Sequence, residues 1–357
     1  MITDTQGHAL SGATTEALPF YEQAVTAFQL YRGDPMASLA QATAAAPRFA
    51  MAHILQAHML ALATEPGCVA MAQEVLQNLR PLPMNEREAS HVGVIQRVLQ
   101  GEWTKAALAM DLHHTRHPYD IVALQAGHLI DFYRASARNL RDRIARVLPH
   151  WSADMPGYSI VLGMYAFGLE ESGDYARAEA VGREALDLQP LDCWAHHAVA
   201  HVMEMQGRVQ DGIGWMNARE PHWSGDDNFF KVHNAWHGAL CHLELGQTDA
   251  VLALYDGTVR KTPSAVVLDL VDASALLWRL QLTGVDVGGR WIELAQTWDA
   301  HADGRLYPFN DWHAVMAYLG ADRQSDVQRL RDAMRSADGA SEVSRWAADT
   351  GHDLVEG

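Results

Sequence analysis

The sequence predicts an all-α fold, a tetratricopeptide-like solenoid of helix pairs (an α-superhelix) curled around a concave pocket. Three observations carry this prediction. Apolar residues follow helical spacing along most of the chain. Turn glycines and terminal prolines recur at roughly the 34-residue period of paired-helix repeats. No β-branched run alternates with period two for long enough to build a sheet. A chain of 357 residues is long for one compact core. In a solenoid, however, each repeat buries its surface against its neighbours.

Taken in order, the first 15 residues, which open MITDTQGHALSG, read as a flexible segment. Residues 16–357 read as one array of about nine helix pairs, because no Gly-, Ser- or Pro-rich linker interrupts them. Prolines at 47, 118, 156, 190, 221 and 263 mark helix ends or turns. Second helices led by glycine begin near Gly101, Gly173, Gly207, Gly246 and Gly320. The most informative segment is GDYARAEAVGREALDLQP, 173–190. Gly173, Tyr175, Ala178, Ala185 and Pro190 stand where the second helix of a tetratricopeptide repeat places its turn glycine, aromatic, two small residues and terminal proline. Glycine lets the turn close, small residues let paired helices approach, and proline ends the hydrogen-bond ladder.

Composition narrows the function. The net charge is −17, and lysine occurs only at 105, 231 and 261, so a phosphate backbone would be repelled and nucleic acid is excluded as a partner. Three scattered cysteines, Cys68, Cys193 and Cys241, make neither a disulfide framework nor a zinc ribbon. The start lacks a basic segment followed by an apolar one, and no run of about 18 apolar residues exists. These features predict a cytoplasmic protein without a membrane partner. They leave room for a homodimer.

Histidine is the unusual residue. WAHHAVAHVMEM, 194–205, carries His197 and His201; VHNAWHGALCH, 232–242, repeats the spacing 36 residues later with His233 and His237. Counting back from Gly207 places Trp194, His197, His201 and Glu204 on one stripe of a first helix, facing the groove. His53, His91 and His128 follow at intervals of 38 and 37 residues, and His128 to His201 spans 73 with Tyr165 near the midpoint. His237 to His313 spans 76. Counting from the glycine anchors instead sets Phe167 opposite His201. Isolated histidines such as His8, His113, His114, His117, His150 and His352 read as ordinary side chains.

Two imidazoles at i, i+4 present their rings to one point. Four of them, His197, His201, His233 and His237, could converge with Glu204 on a divalent metal such as zinc or iron. The same residues could instead work without metal as general acid and base. The sequence leaves both open, and the absence of HExxH removes the strongest form of the metal signature. Asp311 and His313, from FNDWH, complete the catalytic candidates. Candidates for contacting substrate are His91, His128, Asp131, Tyr165, Phe167, Glu170, Trp194, Trp236, Asp272 and Asn310.

The stretches NEREASHVGVIQRVLQGEW, HPYDIVALQAGHLIDFYRASARNLRDR, YSIVLGMYAFGLEESGDYARAEA, WAHHAVAHVMEMQGR, HNAWHGALCHLELGQTDAVLALYD and FNDWHAVMA cover most of residues 85–320. In them the sequence resembles the tetratricopeptide repeat protein 38 family. The resemblance implies an all-α repeat fold in which the histidine-bearing helices are a family feature, and it supplies no reaction. Two functions follow from the sequence. One is a small-molecule site, an enzyme working through the His/carboxylate cluster on a small polar or anionic substrate. The alternative is an interaction scaffold gripping a peptide along the groove, with Arg87, Arg134 and Arg141 replacing the scarce lysines.

Overall fold

The computed structural model describes residues 2–356 and is all-helical in its regular structure; two isolated bridges, Thr3 with Ala9 and Arg32 with Asn228, are the extended pairings among those residues. Contacts divide the chain into two compact units. The first contains residues up to 63, 68–206 and 221–229; the second contains 64–67, 207–220 and the chain from 230 onward. The sequence offered no linker at which to expect this division.

In the first unit α1 (Leu18–Leu30) packs on α2 (Pro35–Ala45), and α3 (Ala50–Ala61) packs on α2 and on α5 (Glu86–Leu99). Here α4 is Pro66–Leu79. Antiparallel neighbours continue with α5 and α6 (Trp103–Arg116), α7 (Ile121–Tyr133) and α8 (Ala137–Val147), and α9 (Tyr158–Glu171) and α10 (Tyr175–Leu188). Each pair also packs on its successor, α6 on α7 and α8 on α9, and α11 (Cys193–Met205) lies against both α9 and α10. After α12 (Val209–Trp223), the second unit pairs α13 (Lys231–Glu244) with α14 (Thr248–Leu254), α15 (Val267–Leu282) with α16 (Arg290–Trp298), and α17 (Pro308–Gly320) with α18 (Gln324–Arg335). The chain closes with α19 (Glu342–Trp346) and α20 (His352–Glu356).

The local causes are those expected of paired helices. Carboxylates or amides cap the N-termini of three helices: Asn85 forms a reciprocal box with Glu88 on α5, Asp120 caps α7, and Asp192 caps α11. Gly101, Gly173 and Gly246 take the left-handed conformation that ends a first helix. Gly320 departs from that role. It closes α17, and Asp322 takes the left-handed position (φ 57°). Its missing side chain makes room for Trp291, since a Cβ would lie 2.4 Å from the indole. Pro221, read as a helix end, lies inside the last turn of α12.

Two residues of the N-terminal segment expected to be flexible bond to the cap of α5. The Ser11 N–H donates to Glu88 Oε1 at 2.8 Å, and Asn85 Nδ2 donates to the Ala9 carbonyl at 3.1 Å. These bonds link a short polar stretch to the cap of α5, more than seventy residues away, and leave no periodic pattern in the sequence.

Candidate functional site

In the second unit the site begins on α13, where His233 and His237 are one turn apart. Across from them α15 supplies Asp272, 7% exposed, whose two oxygens both lie 3.0 Å from His233 Nδ1. A carboxylate can only accept here, so Nδ1 donates to Asp272 and Nε2 is the nitrogen turned toward His237. That Nε2 lies 3.1 Å from His237 Nε2. Trp236 stacks on His233 at 5.4 Å and 14°, and Arg279 lies over the Trp236 ring at 5.4 Å. These contacts fix the imidazole planes. His237 is 3% exposed.

In the first unit the equivalent pair sits on α11. The His197 and His201 rings are 4.2 Å apart at 66°, and Phe167 of α9 stacks on His197 at 5.2 Å. Phe167 also meets His201 edge-on at 5.8 Å, farther than its contact with His197. His201 Nδ1 lies 3.4 Å from Glu170 Oε2, and Glu170, Glu171 and His201 form a set whose ligand atoms lie within 4.8 Å of one another. Burial works to lower the His201 pKa, but Glu170, with Glu204 and Glu171, outweighs it and the pKa is raised. Glu171 is pushed up by burial and by its carboxylate neighbour. The cap that starts α11 depends on α9: a Cβ on Gly163 would lie 2.5 Å from Asp192 Oδ2.

The remaining sequence candidates take other places. His128 is fully buried, edge-on to Trp194 at 4.7 Å and to Phe167 at 5.8 Å, and burial holds its pKa down to about 3. Asp131 is spent on Arg143, at 2.7 Å, and on Arg134. Tyr165 Oη accepts from Arg177 at 2.9 Å, turned toward α10. Glu204 is exposed, because the stripe reaches the surface in the last turn of α11. Asn310 donates to the Thr64 carbonyl at 3.0 Å, and Asp311 accepts from the Gly304 N–H at 2.9 Å. The first bond ties α17 to a residue 246 positions earlier, and the second holds the turn that precedes α17. His313 Nδ1 is bound to the Phe309 carbonyl at 2.8 Å, and burial lowers its pKa to about 4.

His91 belongs to a separate buried network. Its Nε2 donates to Asp120 Oδ2 at 3.0 Å, and its Nδ1 faces His58 Nε2 at 2.9 Å. His113 Nε2 reaches the same oxygen at 3.2 Å, and Arg87 Nη1 donates to it at 2.6 Å. Arg87 is therefore engaged, as are Arg134 with Asp131 and Arg141 with Asp142. Sequence reasoning passed over His113 and Asp120. The available signal was HPYD immediately before the apolar run of α7, which marks Asp120 as an N-cap.

No family model matches the chain. Among solved structures it is similar to the crystal structure of yeast Tom70, at 13% identity over 96% of this chain and 89% of that one, with a TM-score of 0.42. It is also similar to the P58(IPK) TPR domain, at 11% identity over 95% and 89%, with a TM-score of 0.24. The class defined by the coordinates themselves is an all-α helical-repeat scaffold. No helix among the described residues is long and apolar enough to cross a membrane.

Proposed function

We propose that this protein, a relative of the tetratricopeptide repeat protein 38 type, is a metal-binding helical-repeat enzyme acting on a small polar substrate. The observation that carries this reading is the His233–His237 pair. Two imidazole nitrogens bound to zinc at 2.0–2.1 Å in a tetrahedral shell lie about 3.3 Å apart, and these Nε2 atoms are 3.1 Å apart. Asp272 supplies the carboxylate that orients a liganding imidazole through its other nitrogen. Two ligands do not complete a shell. His197 and His201, with the same i, i+4 spacing on α11, form a second candidate pair in the first unit. A divalent cation supplies Lewis acidity and lowers the pKa of bound water. Glu170 is placed beside His201 to hold or pass a proton.

Calorimetric titration of chelator-treated protein with zinc and cobalt tests this reading. The expected result is saturable uptake that weakens at least tenfold in His237→Ala. One ion per chain, lost equally in His201→Ala and His237→Ala, would join the pairs in a single centre. Two ions lost independently would separate them. Absence of uptake by the parent protein would end the proposal.

The repeat architecture favours a second reading, an interaction scaffold, because stacked helix pairs present extended surfaces. The arginines nominated as carboxylate clamps are already paired with aspartates. A scaffold would therefore hold its partner by other groups. A stoichiometric partner retained by the His201→Ala, His237→Ala double variant would support this reading.

A further inference from the structure

We propose that Ser90 is an activated nucleophile, with His113 as its general base and Asp120 as the group that orients the imidazole, and that it takes the acyl group of a small carboxylic ester. Ser90 Oγ lies 2.7 Å from His113 Nδ1, and His113 Nε2 lies 3.2 Å from Asp120 Oδ2. The carboxylate can only accept, so His113 Nε2 donates to it, and in the neutral ring Nδ1 is the acceptor for the serine hydroxyl. This is the order of roles in a Ser–His–Asp arrangement, with the two ring nitrogens exchanged.

Three features fit a working base better than packing alone. The elements that place the groups are rigid: Ser90 on α5, His113 on α6, and Asp120 as the cap of α7, accepting from the Ala123 N–H at 3.0 Å. His113 and Asp120 are each 2% exposed, whereas Ser90, whose hydroxyl meets His113, is only half-buried. Asp120 also receives Arg87 and His91, which hold it as a carboxylate while His113 takes a proton. In the acylation step the Oγ–acyl carbon bond forms and the ester C–O bond breaks. The hydroxyl proton moves to Nδ1 and then to the departing alkoxide. Water releases the acyl group by the reverse sequence.

A fluorophosphonate probe tests this chemistry without a known substrate: the Oγ–P bond forms, fluoride leaves, and the proton goes to His113. Peptide mass analysis is expected to find Ser90 modified at least 100-fold faster than exposed Ser152 in the same protein, a ratio that needs no variant. Ser90→Ala should remove the label in a protein that keeps its far-ultraviolet spectrum, and His113→Gln should slow labelling by a similar factor. Equal rates at Ser90 and Ser152, or full labelling of a folded His113→Gln protein, would overturn the proposal.

Discussion

At the scale of single residues, Asp272 decides what His233 can do. By accepting from Nδ1 it fixes which nitrogen faces His237. Replacement by asparagine keeps the shape but removes the charge and offers an N–H in place of one acceptor. Asp272→Asn is therefore expected to weaken zinc or cobalt binding by about 10- to 100-fold while leaving the far-ultraviolet spectrum unchanged. Unaltered affinity would mean that the carboxylate has no orienting role. The two HxxxH pairs were legible because i, i+4 proximity is local to one helix. Glu204 lies on the same stripe and helps raise the His201 pKa, although the final turn of α11 leaves it exposed. The contact of Asp272 with His233 spans two helices and 39 residues, which no single-helix periodicity encodes.

At the scale of elements, the sequence foretold helix pairs and turn glycines well, since propensity, caps and periodicity act locally. It did not foretell which helices approach most closely. In α9, Gly163 admits the Asp192 cap of α11, and Gly168 admits the backbone of Arg141 at a distance where its Cβ would meet the amide at 2.5 Å. Gly163→Ala places a methyl group where the Asp192 carboxylate now accepts from the Ala195 N–H. Losing such a cap costs about 1 kcal/mol, and overpacking adds about 1–3 kcal/mol. The strain term exceeds the gain in helix propensity from glycine to alanine, about 1 kcal/mol. Gly163→Ala should therefore lower the denaturation midpoint. A midpoint equal to or above that of the parent would show that α11 does not depend on this contact. The His58–His91–Asp120–His113 network was invisible for a similar reason: α3, α5, α6 and the cap of α7 must all be assembled before its members meet.

At the scale of the whole molecule, the buried histidines set the response to acid. His91 and His313 are held down to about 4 and His128 to about 3, each chiefly by burial, and burial lowers His58 and His114 well below the usual value. A depressed folded-state pKa means the unfolded chain binds the proton first, so stability present above pH 6.5 is lost as pH falls. Asp311, raised by burial to about 7, and Asp269, raised to about 6, act oppositely, gaining stability as pH falls below those values. At pH 4.5, His91, His128 and His313 together remove roughly 8 kcal/mol and the two carboxyls return roughly 5, at about 1.4 kcal/mol per pH unit for each group. His58 and His114 add to the loss, and His201 and Glu171, both raised, add to the gain; the lowered histidines are the larger set, so the protein should destabilise below pH 6.5. His128 isolates the effect, since neither ring nitrogen has a hydrogen-bond partner among the described residues. His128→Leu removes that titration with little change in volume and leaves no hydrogen-bonding group stranded. Its stability relative to the parent should be equal or higher at pH 7.5 and should then rise by about 1.4 kcal/mol per pH unit from 6.5 toward 4. Parallel stability curves for variant and parent across that range would show that His128 does not contribute to the acid response.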